Sequence, residues 1–135
     1  MPHSWPRPLK AAQSVRGRQG RQAERLAEQE LVRQGYEILE RNVRYPVGEL
    51  DLVAREAQTL CFVEVRSTST PDRGGPFASV TDRKRRHLIR AARWYLQHEP
   101  LRLPETRFDV VGIEWHAQRP PTIEVLRGAF TLDGR

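Results

Sequence analysis

The sequence predicts an α/β domain with a central mixed β-sheet flanked by helices, and three observations carry that prediction. Two segments repeat apolar residues at three- and four-residue spacing. Shorter β-like runs lie between turn residues. Their order along the chain is α-β-β-β-α-β-β, the pattern of a sheet with helices packed on it. At 135 residues, the chain suits one domain able to bury roughly two-thirds of its unfolded surface.

The elements follow in order. Residues 1–16 hold three prolines and Trp5, lack carboxylates and show no period, so they read as a flexible basic tail. From Gln19 to Gln34, Ala23, Leu26, Ala27 and Leu31 mark one helical face, and Gly35 supplies the stop. A strand over Tyr36–Leu39 and a turn at Tyr45-Pro46-Val47-Gly48 precede two β-like runs, Glu49–Arg55 and Thr59–Arg66. The polar stretch Glu56-Ala57-Gln58 between those runs reads as a hairpin loop. Ser67–Gly75 is loop. A second helix begins near Thr81-Asp82 and reaches Gln97, after which Pro100 and Pro104 break the chain. Strands at Arg107–Ile113 and Thr122–Leu126 complete a single domain over residues 17–130, with 131–135 as a short C-terminal tail.

Composition narrows the function classes. No stretch approaches the apolar length of a membrane span, and the first twenty residues have no apolar core of a secretory signal. One cysteine, Cys61, cannot close an internal disulfide, which fits a reducing cytoplasmic setting. The formal charge is +6, and 21 of the 23 basic residues are Arg, leaving only Lys10 and Lys84 as lysines. Five basic and no acidic residues fall in the first 22 positions, so the remaining chain is nearly neutral and any basic surface must come from patterning.

The chemistry concentrates in GELDLVAREAQTLCFVEVR, residues 48–66. Strict alternation sets Glu49 and Asp51 on one strand face and Leu50 and Leu52 on the other. A loop centred on Ala57-Gln58 then places Asp51 opposite Glu64, and Glu49 opposite Arg66. Two carboxylates directly across an antiparallel pair repel each other unless a cation or proton intervenes, which suits a hard-metal site. A solvated acidic face with an ordinary Glu49–Arg66 bridge accounts for the same pattern, and the residues leave both readings open.

GELDLV, then FVEVR, then ASVTDRKRRHL, then RFDVV, in this order and spacing, resemble the YraN-like family of small bacterial proteins. That family belongs to the PD-(D/E)XK nuclease-like superfamily and is similar to the archaeal Holliday junction resolvases. The resemblance covers about residues 17–130 and implies a restriction-endonuclease-like fold and a site for Mg²⁺ or Mn²⁺. It assigns Asp51 and Glu64 as metal ligands and Glu24, in the first helix, as the helical Glu that completes such sites. It implies nucleic acid as the partner, branched DNA among the substrates and phosphodiester hydrolysis as the reaction; the lack of an apolar span speaks against a membrane partner. The resemblance leaves open a homodimer, the form in which related resolvases meet two-fold symmetric substrates.

Arg66 departs from this pattern, because the superfamily motif ends in Lys. Arginine stays protonated, so Arg66 can stabilise charge on a phosphate but cannot act as a general base. A module of the same fold that binds nucleic acid without cutting it is therefore the alternative reading. Lys84 is the candidate replacement, facing either the sheet or the solvated first turn of its helix. Arg83, Arg86, Arg90 and Arg93 fall within about 80° on that helix and form a basic stripe suited to phosphates, with Arg85 and the tail adding charge.

Other residues carry structural expectations. Cys61 reads as a small core residue with no basic neighbour, Asp109 as a polar anchor of the sheet edge, and Trp94 and Tyr95 as core or interface. His87 lies beside the stripe, and Gly74-Gly75 lacks the pattern of a phosphate cradle.

Overall fold

Six strands lie side by side in sequence order in the computed structural model, which describes residues 9–10, 17–70 and 74–133. The strands are β1 (Leu9–Lys10), β2 (Glu37–Tyr45), β3 (Gly48–Glu56), β4 (Thr59–Thr68), β5 (Glu105–Glu114) and β6 (Thr122–Phe130). Only β4 and β5 run parallel, which makes the sheet mixed and requires the long connection that holds a 3-10 turn (Pro76–Ser79) and helix α2 (Asp82–His98). Helix α1 (Arg18–Arg33) precedes β2. This is the restriction-endonuclease-like α/β arrangement expected from the sequence.

Each helix covers one face. Ala23, Ala27 and Leu31 of α1 are buried against Leu52, Ala54, Cys61, Val63, Val65, Val111 and Ile113. On the other face Leu88, Ala91, Ala92 and Tyr95 of α2 pack with Leu50, Val53, Phe62, Phe108, Val110 and Phe130. Phe62 meets Tyr95 edge-on at 5.7 Å, and Phe108 stacks on Phe130 at 4.5 Å. Each such aromatic contributes about 2–3 kcal/mol by leaving water. The central pair β4 and β5 is covered on both sides, which is why Leu60–Val65 and Phe108–Ile113 read as nearly unbroken apolar runs.

The helix ends follow from local chemistry. Gly35 at φ +103° closes α1 with its N–H on Val32 O, while the Tyr36 N–H reaches Leu31 O, both at 3.0 Å. Thr81 caps α2 by accepting the Lys84 N–H at 3.2 Å.

Several expectations need correction. The strand expected over Tyr36–Leu39 continues to Tyr45, because polar residues within it find partners: Arg41 pairs with Glu28 of α1, and Arg44 with Glu49 at 3.6 Å. Strand β6 continues past Leu126 to Phe130, with Gly128 at φ +66° taking up a register shift. Leu9–Lys10, expected within the tail, pair with Val43 and Arg44; the rest of that tail, including Trp5, lies outside the described residues. Leu132, expected in the C-terminal tail, packs against the α2-side core. Asp109 anchors the sheet interior rather than its edge, since β5 has a neighbour on each side.

Candidate active site

The hairpin loop sets the register from which the site grows. Glu56 faces Thr59, and the ladder runs through Arg55–Leu60, Ala54–Cys61 and Val53–Phe62 to Leu52–Val63. Ala57 adopts φ +55°, a left-handed conformation that lets a two-residue loop follow the twist of its strands. One further step would pair Asp51 with Glu64, but the ladder stops short of it. At that level Leu50 packs toward α2 and Leu52 toward α1, so the two do not share a face as strict alternation expects. Asn42, at φ +52° on β2, lies between the partners of Leu50 and Leu52 and marks the same irregularity. Strand β3 turns away from β4 here, and Asp51 Oδ2 accepts the Val65 N–H at 2.9 Å.

Asp51 and Glu64 are brought together in this opening, each almost fully buried at 3% and 4% exposure. Burial pushes the Glu64 carboxyl far above the usual carboxylate range, and the charge of Asp51 adds to that rise. Lys84 opposes the shift, with Nζ 3.4 Å from Glu64 Oε2. Lys84 therefore reaches toward the sheet from the first turn of its helix, with its side chain still 37% exposed. The reason is geometric: it lies on the flank of α2 next to the buried residues Leu88 and Ala91, while Thr81 fixes where that first turn begins.

Arg66 completes the cluster from β4. Its Nη1 lies 3.3 Å from Glu64 Oε2, and its Nε donates to Ser79 Oγ at 2.8 Å. Two cations thus converge on one buried carboxylate from different elements. Ser79 was not legible as a partner of the site, since nothing in PFASV marks a contact made across the connection.

The residues present can be weighed against the divalent ion that the resemblance implies. Two buried carboxylates whose repulsion only a cation or proton relieves are suited to Mg²⁺ or Mn²⁺, which commonly use one or two carboxylates and take remaining ligands from water and phosphate. Among the described residues no three His, Cys, Asp or Glu side chains converge as a metal-binding group, and Glu24 sits on the helix packed on the opposite face from α2.

Arg83, Arg86, Arg90 and Arg93 are all exposed, as a phosphate-binding stripe requires, and Arg93 also donates to Leu132 O at 2.9 Å. Arg85 turns inward instead, its guanidinium 5.4 Å from the centre of the Phe130 ring. His87 is exposed beside the stripe. Tyr95 is core, and Trp94 stacks on His98 at 4.5 Å and lies 5.8 Å from Tyr45. Cys61 does have a basic neighbour, since Arg107 Nη2 lies 3.4 Å from its sulfur; burial nevertheless pushes the thiol up to about 12, so it is not an activated nucleophile. No helix is long and apolar enough to cross a membrane among the described residues.

Residues 23–113 match the uncharacterised protein family UPF0102. A UPF0102 protein of Desulfosudis oleivorans is 43% identical over 111 residues, covering 82% of this chain and 88% of the relative. One from an Anaeromyxobacter species is 44% identical over 117 residues, covering 86% of each. A third, from Moorella thermoacetica, is 43% identical over 118 residues and is matched along 98% of its own length.

Proposed function

The chain belongs to the uncharacterised protein family UPF0102, the family its motifs resemble, and from that premise we propose a metal-dependent nuclease acting on DNA. The observation that carries this reading is the buried Asp51–Glu64 pair, faced by Lys84 and Arg66 at the foot of an exposed arginine stripe. Asp51 and Glu64 would hold the ion, which when bound supplies a polarised phosphate and an activated water. The guanidinium of Arg66 stabilises charge on the phosphate oxygens, and Lys84, beside Glu64, is placed to take or give a proton there. The stripe orients the backbone through its phosphates.

A screen over single-stranded, duplex, flap and four-way DNA with Mg²⁺ or Mn²⁺ tests the proposal. Cleavage of at least one substrate is expected, with Asp51→Ala abolishing it; equal cutting by that variant rejects the site. The second reading, binding without cleavage, is favoured by Arg66 at the motif's lysine position. It expects metal-independent binding that falls steeply with salt, reduced at least tenfold by Arg86→Glu with Arg90→Glu.

A further inference from the structure

Arg66 lies directly beside Gly112 in the parallel β4–β5 pair. The absence of a side chain at Gly112 decides what occupies the space above it. A Cβ there would come within 2.7 Å of Pro76 Cγ and 3.0 Å of Phe77 Cζ, so the 3-10 turn can sit on the sheet only over a glycine. Seated there, the turn presents Ser79 to Arg66. The Ser79 hydroxyl donates to Pro76 O at 2.6 Å, which leaves its lone pairs to accept the Arg66 Nε–H at 2.8 Å.

From this we infer that Ser79 is a positioning residue for Arg66, holding its guanidinium plane so that Nη2 is left to meet a phosphate oxygen. An arginine has four rotatable side-chain bonds, and a catalytic hydrogen bond tolerates little misplacement. Ser79 fixes Nε and Glu64 fixes Nη1, while Nη2 makes no hydrogen bond with a described residue. The side chain is 32% exposed, so it is partly open to solvent. Ser79 itself is exposed, so the exchange of the Arg66 Nε–H, rather than burial, distinguishes a positioning role from its bond within the turn.

The inference rests on the proposed phosphodiester chemistry, and its test has two arms. In the first, water exchange of the Arg66 Nε–H is followed by NMR in the full chain, the signal being identified by its loss in Arg66→Lys. Ser79→Ala is expected to speed that exchange at least tenfold, and Ser79→Thr to restore it. In the second, the DNA cut best in the screen is used with Mn²⁺. Ser79→Ala is expected to lower kcat 10- to 30-fold with KM changed less than threefold, and Ser79→Thr to recover most of the loss. Unchanged exchange in Ser79→Ala overturns the Ser79–Arg66 link whatever the activity. Faster exchange with unchanged kcat overturns the positioning role. Faster exchange in a protein that cuts none of the substrates removes the nuclease reading, and the positioning role falls with it.

Discussion

Replacing Asp109 by alanine isolates the polar network that braces the α1 face of the sheet. Asp109 is fully buried and accepts four hydrogen bonds: Tyr36 OH at 2.7 Å, Arg107 Nε at 2.8 Å, Arg107 Nη2 at 2.9 Å and Gly128 N–H at 2.9 Å. Removing one partner of a buried ion pair costs about 3–5 kcal/mol, because the other partner keeps its desolvation cost. Arg107 retains Glu56 at 2.6 Å and is partly exposed, which moderates its share. The Tyr36 hydroxyl is buried and loses its acceptor, which adds about 1–3 kcal/mol. We therefore expect a loss of about 4 kcal/mol. With an unfolding entropy of about 0.28 kcal/mol/K for a chain of this length, that lowers Tm by about 14 °C. Urea unfolding followed by circular dichroism measures the loss, and a cycle with Tyr36→Phe measures the coupling. Tyr36→Phe alone should cost about 2 kcal/mol, and much less once Asp109 is already alanine. A loss below about 1.5 kcal/mol, or additivity within about 0.5 kcal/mol, would refute the account of Asp109 as the hub.

Three further outcomes are expected. Lys84→Ala should reduce DNA cleavage by about 100-fold or more, with Lys84→Arg failing to restore it, because a guanidinium cannot give up its proton; single-turnover kinetics at saturating metal reads this directly. Gly48→Ala should destabilise the fold by about 1–3 kcal/mol in urea unfolding, since its Cβ would lie 2.9 Å from the His87 carbonyl oxygen, and neither backbone can yield without moving α2 off the sheet. Glu56 is held down to about 2, first by its hydrogen bonds with Arg127 and also by those with Arg107. Its folded value is below the unfolded one, so its contribution is present above about pH 4.5 and fades as pH falls toward 2; Glu56→Gln should flatten the stability profile across that window.

Much of the architecture was legible because it depends on local chemistry. Ala23, Ala27 and Leu31 at four-residue spacing, Gly35 as a helix stop and Thr81 as a cap each act within a few residues. The Ala57-Gln58 loop fixed the hairpin register down to Leu52–Val63. The continuation of β2 to Tyr45 was not legible, since Arg41 and Asn42 break alternation and their strand depends on pairing with β3.

By itself, the sequence determined the two helices, the hairpin that carries Asp51 and Glu64, and the exposed arginine stripe, because spacing along one element decides which face a side chain takes. Only the tertiary structure decided what meets the carboxylates. Strand β3 leaves its ladder at Asp51, α2 delivers Lys84 to Glu64, and the turn over Gly112 delivers Ser79 to Arg66. These contacts join residues far apart in the chain, and their geometry depends on how helices and turns seat on the sheet, a packing outcome that no local spacing encodes.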